Sequence, residues 1–173
     1  MRQIFLKTWL WALLCLSFTH LAQAQTKPAQ KADLIGTWQV VAFFPGSFAL
    51  NNPDSDLLLP SQIYGFYQDN HMRSLTDDKA KEFNYTLDEL ESRFGNRPQK
   101  LHYQVIKAGL VATTIDEKQQ IGSLWQSYIA TEDHKIEGLP TQKGDLIMGM
   151  IPHDKSAPAG QFSYIRVLRA VNR

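Results

Sequence analysis

Leu34-Ile35-Gly36-Thr37-Trp38-Gln39-Val40-Val41-Ala42 is the stretch on which the reading of the fold turns. Gly36 and Trp38 open a run whose other members are mostly β-branched or small, a composition suited to a pleated, half-buried strand. Continued to Phe44, the run alternates with period two. Trp38, Val40, Ala42 and Phe44 fall on one face, and Thr37, Gln39, Val41 and Phe43 on the other. The second face is only partly polar, so the strand is expected to be covered on both sides at one end. Pro45-Gly46 ends it by removing a backbone donor and freeing φ.

Downstream, the same alphabet returns in short segments. Ser47 to Pro60 begins as a loop at Asn51-Asn52-Pro53-Asp54 and ends in Leu57-Leu58-Leu59, the pattern of a connection docked on a core. Ser61 to Leu75 reads as a hairpin, with two apolar and aromatic runs flanking Gln68-Asp69-Asn70-His71, where Asp and Asn tolerate turn conformations. Residues 77–96 change character. Thr86-x-x-Glu89 is a capping-box pattern, Leu87, Leu90 and Phe94 follow at helical spacing, and Gly95-Asn96-Arg97-Pro98 stops the run. Strands resume at Leu101–Ile106, Leu110–Ile115, Ile121–Thr131, Gly144–Ile151 and Gln161–Val171. The polar stretches 132–143 and 152–160 read as loops between them. About eight strands joined mostly by short turns favour an antiparallel up-and-down β-barrel with a helical insertion near 77–96, because closure removes exposed edges.

Upstream, residues 1–24 carry Arg2 and Lys7, an apolar core from Thr8 to Phe18, and Ala22-Gln23-Ala24 before a cleavage position at Gln25. This is the pattern of an export signal, and the apolar core is too short to span a bilayer comfortably. Cys15, the single cysteine, falls inside it. The mature chain is therefore expected to lie in the periplasm or outside the cell, without disulfides and without a transmembrane segment. Residues 25–31 read as a flexible arm and 32–173 as one domain large enough for a packed core. Losing Arg2 and Lys7 from 18 basic residues against 17 acidic ones tips the balance slightly acidic, which argues against nucleic acid as a partner.

At Gly36-Thr37-Trp38 the chain resembles the lipocalin and fatty-acid-binding (calycin) superfamily, whose barrels begin with Gly-x-Trp on the first strand. The resemblance implies that Gly36 lets the strand bend, that the Trp38 indole plugs the closed end, and that a basic residue of the last strand, Arg166 or Arg169, covers it through a cation–π contact. It is to a divergent, lipocalin-like form rather than a standard lipocalin. Thr131-Glu132-Asp133 is the nearest approach to a Thr-Asp-Tyr motif, and the helix lies mid-chain.

Chemistry-bearing motifs are few. No nucleophile elbow, phosphate loop or paired metal-ligand spacing is present. His71, His102, His134 and His153 are separated, and His153-Asp154 has no third ligand nearby in sequence. No catalysis, metal or other cofactor is expected. Asn84-Tyr85-Thr86 fits a glycosylation acceptor if the source glycosylates its exports. The candidate ligand-binding set is the aromatic and methionine inventory: Tyr64, Phe66, Tyr103, Trp125, Tyr128, Met148, Met150 and Tyr164. Such side chains either line an apolar pocket or fill the barrel. The functional expectation is a non-catalytic carrier of a small hydrophobic molecule. The alternative is a filled-barrel module that contacts a protein partner through 45–60 and 152–160.

Overall fold

The computed structural model describes residues 25–45, 62–76, 85–95, 101–115, 121–152 and 162–171. The export signal, the leucine run at 57–59, Asn84, and His153-Asp154 lie outside these residues, as does nearly all of the two loops proposed for partner contact.

Eight strands close into an antiparallel up-and-down barrel. They are β2 (Gly36–Phe44), β3 (Gln62–Phe66), β4 (His71–Thr76), β5 (Leu101–Lys107), β6 (Leu110–Ile115), β7 (Ile121–Ala130), β10 (Leu146–Met150) and β11 (Ile165–Ala170). Each pairs with its neighbour in the chain, apart from a small hairpin between β7 and β10, and β11 returns to β2. That hairpin, β8 (His134–Ile136) with β9 (Leu139–Thr141), occupies the stretch expected to be a loop.

The arm expected at 25–31 is ordered. β1 (Thr26–Pro28) pairs with β7 from Tyr128 to Ala130, where β6 has already ended. Ala29 N–H then donates to Ser127 O (2.9 Å), and Gly109 N–H to Ala29 O (2.9 Å), so β1 continues the line of β6 along β7. The chain turns through α1 (Lys31–Leu34), which buries Leu34. Polar composition hid this strand, whose stabilisation comes from backbone bonds rather than from an apolar face.

The alternation of β2 breaks at a bulge. Val40 pairs with Leu168 but Ala42 with Val167, so Val41 is the extra residue and its side chain is exposed. One added residue moves everything after it to the other face. Phe43, not Phe44, therefore points inward and meets Tyr164 at 5.6 Å between ring centroids.

Two satellite layers cover the outer wall. α2 (Leu87–Phe94) is opened by the expected capping box: Glu89 N–H donates to Thr86 Oγ1 (3.2 Å) and Thr86 N–H to Glu89 Oε2 (2.8 Å). Its Leu90 packs with Ile63 and Tyr85 on the outside of β3. Gly65 makes that approach possible, since a Cβ there would sit 2.6 Å from Leu90 Cδ2. On the far side, Ala130, Ile147 and Ile165 form a second layer with Tyr128, Ile136, Leu139 and Phe162.

Candidate functional site

The strand directions sort the barrel into two ends. At one end lie α1, the tight turns at 67–70 and 108–109, and the β8–β9 hairpin. Trp38 is fully buried toward this end, and its Nε1 donates to Leu34 O at 2.6 Å. Gly36, two residues earlier, has φ +135°, a conformation that L side chains rarely adopt. The indole tied to the α1 carbonyl is thus the floor of the barrel.

Above it is a cavity of about 190 Å³. Of the candidate ligand-binding residues, Tyr64, Phe66, Trp125, Met148 and Tyr164 line it. Tyr103 and Met150 belong to the same buried interior without lining the cavity. Tyr103 packs edge-on against Phe66 (5.2 Å) and donates its hydroxyl to Tyr67 O at 2.7 Å. Tyr128 does not reach the interior. Trp125, Ser127 and Ile129 are one parity of β7, and Tyr128 is the other, so it packs in the outer layer with Ile147. Polar wall residues that sequence reasoning missed are Ser74, Thr113 and Ser123. Their alternation with Met72, Val111 and Trp125 was the available signal.

The other missed feature is a charge. Arg166, expected at the floor over Trp38, lines the cavity and is 2% exposed. Its Cζ lies 4.7 Å from the Tyr164 ring centroid, 5.4 Å from Tyr64, 5.9 Å from Trp125 and 6.0 Å from Phe43. Loss of hydration lowers its pKa to about 9, still above neutrality, so the guanidinium remains a cation. Burial likewise raises the Tyr164 phenol above its usual value, which keeps it neutral. Arg169, the other candidate for covering Trp38, binds Asp145 through both carboxylate oxygens (3.0 and 2.9 Å).

The wall residues leave the cavity apolar except for this cation and a few hydroxyls. Tyr64 donates its hydroxyl to Gln62 Oε1 (2.7 Å), and Trp125 Nε1 donates to Thr113 Oγ1 (3.3 Å). Both groups are oriented by the protein.

A separate polar cluster lies outside the barrel, beneath α2. Arg73, 2% exposed, is held by Glu91 through Nε–Oε2 (3.0 Å) and Nη2–Oε1 (2.8 Å), with Phe94 under its guanidinium at 4.8 Å. The arginine lowers the Glu91 pKa to about 2. His71 stacks on Tyr67 (3.9 Å) and lies between Asp69 (Nδ1, 2.5 Å) and Glu91 (Nε2, 3.4 Å). These groups face the barrel's outer wall and fasten the helix to it. Among the described residues, no three His, Cys, Asp or Glu side chains are arranged to hold a metal, and no helix is long and apolar enough to cross a membrane.

No family model, curated protein or solved structure matches the chain. The architecture is compatible with a calycin-like fold on geometry alone.

Proposed function

We propose that this chain is an exported, non-catalytic binding protein of lipocalin-like construction, which holds a small hydrophobic molecule inside its barrel. The observation that carries the reading is the aromatic-walled cavity of about 190 Å³ above the Trp38 floor. Apolar walls supply affinity through burial, and a few oriented polar groups supply specificity. Export follows from the signal pattern at 1–24.

Residues 25–173 contain two tryptophans, Trp38 at the floor and Trp125 in the cavity wall. Titration of the mature protein with a panel of small apolar and aromatic molecules should change the Trp125 emission, and native mass spectrometry should detect a one-to-one complex. If the whole panel leaves both emission and mass unchanged, the binding reading is wrong. A filled-barrel interaction module is the second reading, and the modest cavity favours it, being below the roughly 300 Å³ at which ligand pockets usually begin. That module would leave the panel unbound and retain a protein partner on the barrel exterior.

A further inference from the structure

We propose that the molecule held by the barrel is a small neutral alcohol built on one aromatic ring, with the ring toward the Trp38 floor and the hydroxyl among Ser74, Thr113 and Ser123. The inference rests on the cavity being the binding site and goes further by naming the chemistry and orientation of its ligand.

Three observations converge. The first is that the cavity wall is graded. Phe66, Met72, Trp125, Met148, Tyr164 and Leu168 are buried and make its apolar part. Ser74, Thr113 and Ser123 are only half-buried. Each stands two residues from a strand end: Ser74 before Thr76 of β4, Thr113 before Ile115 of β6, and Ser123 after Ile121 of β7. Those ends lie away from the floor, because the opposite ends of the same strands meet the turns at 67–70 and 108–109 and the β8–β9 hairpin. Ile115 lines the cavity there and is 60% exposed. A guest that fits this gradient is apolar at one end and polar at the other.

The second observation is the kind of polarity. All three side chains carry hydroxyls, each able to donate one hydrogen bond and accept two. Thr113 and Ser123 are register partners on β6 and β7, so their side chains are cross-strand neighbours. Thr113 Oγ1 accepts the Trp125 indole N–H (3.3 Å), which sets this hydroxyl where the ring wall meets the polar end. A neutral hydroxyl on the guest matches such groups as both donor and acceptor, without the desolvation cost of a charge.

The third is size and shape. An apolar cavity of about 150 Å³ takes up benzene, so about 190 Å³ accommodates one ring with a short arm, while a long acyl chain exceeds it. Tyr64, Phe66, Trp125 and Tyr164 offer ring faces and edges of the kind that pair with an aromatic guest. Arg166 is already set among ring faces in this wall, and an aromatic guest adds one more.

The test is a matched titration at neutral pH, read by calorimetry and tryptophan emission. Benzyl alcohol and 2-phenylethanol are compared with toluene and ethylbenzene, which lack the hydroxyl. Phenylacetate replaces the hydroxyl by a charge, and 1-dodecanol replaces the ring by a chain. Both aromatic alcohols should bind, and dodecanol should not. In the Ser74→Ala/Ser123→Ala variant the ratio of alcohol to hydrocarbon affinity should fall about three- to tenfold, the scale of one net hydrogen bond, with circular dichroism checking the fold. Should the double variant not fold, either single variant carries the comparison. An unchanged ratio overturns the assignment but leaves the cavity as a binding site. So does phenylacetate bound more tightly than 2-phenylethanol, dodecanol bound as tightly as the aromatic alcohols, or toluene bound with neither alcohol. Binding by no member, hydrocarbons included, overturns the binding reading and this inference with it.

Discussion

Replacing Glu91 by Gln should weaken the protein by about 1.5–2 kcal/mol at neutral pH, and the loss should vanish in acid. The substitution keeps the shape of the side chain but removes the charge that Arg73 grips at 3.0 and 2.8 Å. Arg73 cannot escape to solvent: it is 2% exposed, with Phe94 against its guanidinium. A carboxyl held from its ordinary 4.5 down to about 2 corresponds to about 3 kcal/mol of preferential stabilisation of the ionised form. Since 34% of the Glu91 side chain meets solvent, screening reduces the figure by about half. The folded-state value is depressed, so the contribution is present in full above the unfolded value and is lost as pH falls from 4.5 through about 2. Urea denaturation of both proteins at pH 7, 4 and 2.5 measures it. The midpoints should differ by about 1 M at pH 7 and by about a quarter of that at pH 2.5, where most of the contribution has gone. A gap below 0.5 kcal/mol at pH 7, or one that persists undiminished at pH 2.5, would refute the view that this ion pair clamps α2 to the barrel.

Two other perturbations probe the floor and the N-terminal strand. Trp38→Ala should cost about 3–5 kcal/mol by leaving a cavity, and Trp38→Phe about 1–3 kcal/mol because the Leu34 carbonyl loses its buried donor; thermal melts separate the two. Beginning the chain at Lys31 should remove about 2–3 kcal/mol, since several backbone bonds such as Ala29 N to Ser127 O and Thr131 N to Gln25 O disappear at roughly 1 kcal/mol each. An unchanged denaturation midpoint would mean that β1 contributes nothing.

What was legible in the sequence was whatever repeats or punctuates locally. Thr86 and Glu89 stand three apart because that spacing lets each reach the other's backbone, and both bonds form. Asn70, in the predicted turn of the first hairpin, adopts φ +70°, which Asn tolerates. Other features depend on partners distant in sequence. The bulge at Val41 is set by the register of β11, so nothing within β2 announces that Phe43 and Phe44 exchange faces. β8 and β9 are three residues long, too short for a period to declare itself.

The position of Arg166 failed to be legible for a more instructive reason. On β11 the two parities are Tyr164, Arg166 and Leu168 against Ile165, Val167 and Arg169, each with two apolar or aromatic residues and one arginine. Ordinarily the arginine-bearing parity faces water, but here both faces of the strand are covered. Ile165 packs in the outer layer with Ile147 and Ala130, while Leu168 belongs to the barrel interior. With apolar residues on both sides, alternation cannot choose between the arginines, and the environment of each decides. Arg169 meets the buried carboxylate of Asp145, 24 residues away in the chain. Arg166 meets aromatic rings and a cavity. The ion pair explains why one cation is retained by the fold. For the other, the faces of four surrounding rings offset part of the desolvation cost. Arg169→Met should therefore destabilise the protein by about 1–3 kcal/mol, because the buried Asp145 carboxylate loses its two arginine donors, and a urea denaturation midpoint left unchanged would refute that role for the pair.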